Sequence, residues 1–192
     1  MKNNYFFIVC ILLSSVLKAQ GNFEQSLLEK KAFSARTTQK TALQTDYIPK
    51  YYRLDITSDP NVTTFSGKTT MQFTTTVATN QIKINAKQNL HVTSVEYHSN
   101  VITDFTRDGD VLTITLPATL NAGTLDTISI SFSGNDSTST GYYVQSHNGT
   151  NVSYTLSESF HASSWWVCKD DLEDKVDKID VYITHPTNMK AP

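Results

Sequence analysis

The sequence predicts an all-β fold, an antiparallel β-sandwich or open barrel, and three observations predict it. Beyond Asp46, apolar and polar residues alternate with a period of two in run after run, a pattern that buries one face of an extended strand and wets the other. Residues that accept tight-turn dihedrals separate these runs at short spacing. No long helical pattern follows residue 45, and no repeat of fixed period is present. A chain of 192 residues with nine Tyr and nine Phe is long enough to bury a core and too aromatic for a disordered segment.

The elements follow in order. Lys2 supplies a basic start, Tyr5 to Val16 is apolar apart from Ser14 and Ser15, and Ala19 offers a small residue for cleavage. Residues 1–19 therefore read as a secretory signal peptide, too short for a permanent span; the alternative is a buried N-terminal helix or anchor. Ile8-Val9 before Cys10 do not make a lipoprotein site. Residues 20–45 form a flexible or partly helical lead-in, with Leu27, Leu28 and Phe33 as its apolar positions. The β-domain occupies 46–192. Strand patterns run through Leu54-Asp55-Ile56, Met71-Gln72-Phe73, Ile82-Lys83-Ile84, Leu112 to Leu116, Ile128 to Phe132 and Ile179 to Ile183. Asp59-Pro60-Asn61, Asp108-Gly109-Asp110 and Asn121-Ala122-Gly123 mark turns, and Gly134 to Gly141 marks a longer loop. The count comes to nine or ten strands.

Composition excludes some functions. Sixteen basic and eighteen acidic residues give a net charge of −2, which leaves no basic field for nucleic acid. Loss of the leader removes Lys2, Lys18 and one of two cysteines, so an exported chain would rely on its core rather than on a disulfide. Cys168 then reads as a buried small hydrophobe or a reactive thiol, and no neighbouring pattern supports a nucleophile. His91, His98, His147, His161 and His185 are scattered, without a His-Glu-x-x-His pair; such a pair places two imidazoles on one helical face to bind zinc. Neither a phosphate loop nor a nucleophile elbow is present. Four Asn-x-Ser/Thr sequons, at Asn61, Asn135, Asn148 and Asn151, would matter only on a eukaryotic export route.

Chemistry concentrates in the last quarter. Trp165-Trp166 sit beside Cys168 and an acid cluster of Asp170, Asp171, Glu173, Asp174 and Asp177. The indoles can form a glycan or peptide platform, or one can fill the core while the other covers its rim. The acids can clasp calcium or form a solvated turn, and their spacing lacks the Gly and final Glu of an EF-hand loop.

Tyr51-Tyr52-Arg53-Leu54-Asp55-Ile56, Phe65-Ser66-Gly67, Ser157-Glu158, Trp166-Val167-Cys168-Lys169-Asp170-Asp171 and the Ile179 to Thr184 strand together resemble the N-terminal domain of zinc aminopeptidases of the aminopeptidase N family. The likeness is nearest to the secreted bacterial branch and spans roughly residues 46 to 190. It implies a saddle-shaped β-sandwich packed against a thermolysin-like zinc domain. In that family a Gly-x-Met-Glu-Asn loop and a His-Glu-x-x-His helix with a later Glu lie downstream of this domain, and none of these motifs occurs in these 192 residues. The resemblance thus implies no catalytic residue, metal ligand or cofactor in this chain, and zinc in the full-length enzyme.

The resemblance also implies a site residue. The family's N-terminal domain lends the cleft one loop of pattern Gln-x-Glu, whose acid helps hold the substrate's free α-amine. Thr155-Leu156-Ser157-Glu158 stand in that place, making Glu158 the candidate substrate-binding residue. Leu156 replaces the Gln, and Val167 replaces the Pro that usually precedes the Cys. A carboxylate in a cleft can accept charge-assisted hydrogen bonds from an ammonium, and desolvation sharpens that selection. The implied partner is a peptide with a free N-terminus, held through the catalytic domain. The implied location is secreted, periplasmic or at the cell surface, with no stable membrane span after leader removal. The chain stops at Pro192 just after an apolar strand, so the sandwich is expected to be incomplete there and the chain to be a fragment. The reading from another class is a stand-alone secreted β-sandwich that binds glycan or protein through Trp165 and Trp166.

Overall fold

The alternation that begins at Asp46 becomes eleven strands in the computed structural model, which describes residues 45–157, 161–171 and 174–191. The leader, the lead-in up to residue 44, Glu158 and Glu173 lie outside the described residues. The strands are β1 (Tyr47–Ser58), β2 (Thr64–Thr75), β3 (Thr79–Asn85), β4 (His91–Tyr97), β5 (Asn100–Ile102) and β6 (Phe105–Asp108). They continue with β7 (Val111–Leu120), β8 (Leu125–Asn135), β9 (Tyr142–His147), β10 (Thr150–Thr155) and β11 (Lys178–Thr184). A six-stranded sheet has the order β11-β1-β2-β8-β4-β5, a three-stranded sheet the order β3-β7-β6, and β9 and β10 form a separate hairpin.

The inward positions of the two larger sheets meet in one core. From the six-stranded sheet come Tyr52, Leu54, Ile56, Phe65, Met71, Phe73, Val95, Ile128, Ile130 and Phe132; from the three-stranded sheet come Ile82, Ile84, Leu112 and Ile114. Their spacing by two is what the pleat requires. Tyr47 ties the layers together, because its ring meets Phe73 edge-on at 5.5 Å while its hydroxyl donates to the Lys83 carbonyl at 2.8 Å. Burial pushes that phenol well above its ordinary pKa, so it stays a neutral donor.

The three predicted turns are where the residues placed them. Asp59 Oδ1 accepts from the Asn61 amide at 2.9 Å, an Asx turn between β1 and β2. Gly109 and Gly123 take φ of 55° and 80° at the β6–β7 and β7–β8 turns, a region that costs a side chain. The loop expected over Gly134 to Gly141 is shorter, since Gly134 and Asn135 extend β8 and pair with Phe65 and Thr64. The reason is packing: a Cβ at Gly134 would come within 2.5 Å of the Phe65 ring. Glycine permits close strand approach here rather than a turn.

The described strands pair antiparallel with one exception. β11 runs parallel to β1, with Leu54 opposite Val181. Long-range hydrogen bonds set that direction. The Lys169 amide donates to the Tyr52 hydroxyl at 3.0 Å and the Asp177 amide to the Lys50 carbonyl at 3.0 Å. The chain thus arrives beside the first half of β1 and runs on in the same sense.

Candidate functional site

The two described ends of the segment containing Glu158 are both fastened to one place. On the N-terminal side, the Leu156 amide donates to the Gly141 carbonyl at 2.9 Å, and Ser157 Oγ accepts from the Trp165 indole at 3.0 Å. On the C-terminal side, His161 Nδ1 lies 2.8 Å from Thr140 Oγ1, and residues 162–164 form a short 3-10 turn. Gly141 sits where these meet: a Cβ there would lie 2.6 Å from the His161 carbonyl and from Ser164 Oγ, and 2.7 Å from Trp165 Cδ1. Glu158 itself, the one residue singled out for substrate binding, lies outside the described residues.

The Trp-Trp-x-Cys-x-Asp-Asp block is stitched into the core. Cys168 exchanges two backbone hydrogen bonds with Asn85 at 2.9 and 3.1 Å, an added bridge to the end of β3. Val167 and Cys168 are buried, and Trp166 meets Tyr52 edge-on at 5.1 Å. Trp165 is half-buried with its N–H committed to Ser157. Both indoles are half-buried and pack against the core. Burial, with the Asp170 carboxylate adding to it, pushes the Cys168 thiol well above its ordinary pKa. Such a thiol yields little thiolate.

The neighbouring cation has no precedent in the pattern. The side chain of Lys169 is 3% exposed. Its ammonium donates to the Tyr47 carbonyl at 2.8 Å, lies 4.9 Å from the centre of the Tyr47 ring, and pairs with the Asp174 carboxylate. A buried charge needs such company. Asp170 is engaged too, accepting from Ser163 Oγ at 2.7 Å while its amide donates to Asn85 Oδ1 at 3.0 Å. Two members of the acid cluster therefore do structural work. Lys169 was not singled out in the sequence, and no spacing signal would have found it.

A groove of about 630 Å³ opens between the hairpin and the edge of the large sheet. Its walls include Ile56, Ser58, Tyr142, Trp165, Val181 and Ile183. At its floor Ser58 Oγ is 2.9 Å from the Tyr142 hydroxyl and 2.8 Å from Ser153 Oγ. Val181 and Ile183 stand 51% and 49% exposed, unusual for a strand with this pattern. Among the described residues no three His, Cys, Asp or Glu side chains gather to hold a metal ion. The histidines stay apart: His98 meets Asp126 at 2.7 Å, and His185 Nδ1 meets the Pro186 carbonyl at 2.8 Å. No helix among the described residues is long and apolar enough to cross a membrane.

The described residues thus form a two-layer β-domain with an appended hairpin and a buried Cys168-Lys169 pair. A family model for the peptidase M1 N-terminal domain matches residues 48–191, and the chain belongs to that family. Three-dimensional comparison gives the same fold. The M1 zinc metallopeptidase from Deinococcus radiodurans superposes with a TM-score of 0.62 at 18% identity, over 76% of this chain and 34% of that one. A mutant two-domain M1 zinc metallopeptidase bound to L-arginine gives 0.64 at 20% identity, over 76% and 34%. A mutant of the Deinococcus radiodurans enzyme bound to a Tyr-Ser-Ala substrate gives 0.59 at 17% identity, over 73% and 33%. The chain therefore spans about a third of the length of these structures. No curated protein matches the sequence.

Proposed function

We propose that this chain is the N-terminal domain of an exported zinc metallo-aminopeptidase, an enzyme that removes N-terminal amino acids from peptides. In this reading the domain shapes one wall of the cleft, and Glu158 receives the free α-amine of the substrate. The zinc and the hydrolytic residues belong to a catalytic domain outside these 192 residues. The observation that carries the reading is the family match over residues 48–191. The fastening of both described flanks of Glu158 to Gly141, Trp165 and Thr140 supports it, because selection of an ammonium needs its carboxylate at a set distance.

The test uses the enzyme carrying this domain, an aminoacyl chromophore and the same compound with its amine acetylated. The free-amine compound is expected to be hydrolysed in a chelator-sensitive way and the blocked one to be left intact. Equal hydrolysis of both would overturn the exopeptidase reading. The 192-residue chain alone is expected to release nothing from either.

A further inference from the structure

The sequence holds a single Asn-Gly pair, Asn148-Gly149, and the fold places it at the two-residue tip of the β9–β10 hairpin, between the partners His147 and Thr150. Both residues take positive φ, 50° and 78°, the twist-matched geometry of a tight hairpin turn. Both are exposed. Nothing lies within 4 Å of the place a Gly149 Cβ would occupy, so no other part of the fold crowds the turn on that side. The amides of Asn61, Asn89, Asn100, Asn135 and Asn151 are engaged in hydrogen bonds. The Asn148 side chain has none among the described residues.

We propose that Asn148 is a site of spontaneous deamidation, making the hairpin wall of the groove a chemical clock. The Gly149 nitrogen attacks Asn148 Cγ. A C–N bond forms, ammonia leaves with the amide proton of Gly149, and a five-membered succinimide remains. Water then opens either carbonyl of the ring, giving aspartate or isoaspartate at this position. Glycine is the following residue that hinders the attack least, having no Cβ. The tip must open for the ring to close, and the hairpin allows it. β9 and β10 pair only with each other among the described residues, and most β10 side chains are exposed. The base of the hairpin is tied to Ser58 through Tyr142 and Ser153, but residues 145–150 at its tip are all exposed, and such ends open at lower cost than the core. Isoaspartate adds a methylene to the backbone of a turn that closes with two residues, so the His147–Thr150 register is lost where Thr150 to Thr155 line the groove.

The experiment holds the 192-residue chain at 37 °C in mildly alkaline buffer and follows each Asn by peptide mapping and isoaspartate-specific methylation. A parallel sample is kept unfolded in denaturant. Native Asn148 is expected to convert faster than any other described Asn, and within about tenfold of its rate in the unfolded chain. Asn148→Gln is expected to abolish the isoaspartate signal from the hairpin peptide. Conversion in the unfolded chain without conversion in the native one would show that the turn protects the amide, and would overturn the proposal. So would faster conversion at another described Asn. Neither result depends on hydrolytic activity.

Discussion

The two larger sheets and the segment running from the hairpin to β11 obey different rules. In β1, β2, β8, β3 and β7 most large apolar residues go inward, Ile48 and Leu125 excepted, while the charged ones go outward, and core burial does the stabilising. From β9 onward, apolar residues stay exposed at Tyr154, Leu156, Val181 and Ile183, while Lys169 goes inside. There, hydrogen bonds between residues far apart in sequence hold the chain: Asn85 to Cys168, Tyr52 to Lys169, Gly141 to Leu156. A region held by hydrogen bonds while its apolar face stays open is the part suited to meet something else. The first region supplies the domain's core; the second leaves an apolar face open.

Four perturbations separate the two regimes, from the largest effect to the smallest. Phe73→Ala removes a fully buried ring in the first region and is expected to cost about 3–5 kcal/mol, measured by urea unfolding. Lys169→Ala strands the Asp174 carboxylate and the Tyr47 carbonyl, and is expected to cost about 3 kcal/mol. Lys169→Met, which keeps the stem and drops the charge, should recover part of that loss only when combined with Asp174→Asn. If Lys169→Ala were silent, hydrogen bonding could not be what fixes the second region.

The third perturbation is acid. Burial alone would raise the Asp126 carboxyl, and the hydrogen bonds from Tyr97, Thr127 and His98 outweigh it, holding the pKa below the usual carboxylate value. A group depressed in the folded state stabilises at pH above its unfolded pKa, and that stability drains away as pH falls through the folded one. Stability at the β4–β8 junction should therefore decline below about pH 4, and Asp126→Asn should flatten that part of the profile. The smallest effect belongs to β11. Ile183→Ser on its open face should change the unfolding free energy of the chain by no more than about 0.5 kcal/mol; a core-sized loss there would erase the contrast between the regions.

How much of this was legible follows the same division. Leu54, Ile56, Ile82, Ile84, Ile128 and Phe132 announce their burial through a period of two, because the pleat alone decides which way they point. Asn121-Ala122-Gly123 announces its turn for an equally local reason. Gly134 does not announce its place in β8, since what puts it there is the Phe65 ring from another strand. The parallel run of β11 is invisible for the same reason: its direction depends on where Lys169 and Asp177 find Tyr52 and Lys50. Lys169 misleads most, as a lysine reads as surface unless its partners are known. For the site, Trp165 and Trp166 left platform and core both open, and only their contacts in the fold, with Ser157 and Tyr52, show both packed against the core. The identification of Glu158 rests on resemblance and not on any local pattern, since a lone acid carries no such signal.

The most direct test of the account is the Michaelis constant of Glu158→Gln in the enzyme that carries this domain, on a substrate with a free α-amine. The account predicts a rise of about tenfold or more, the loss expected for one charge-assisted hydrogen bond, with the secondary structure of the variant unchanged. A variant whose KM and kcat both match the parent enzyme would contradict it and leave Glu158 a bystander.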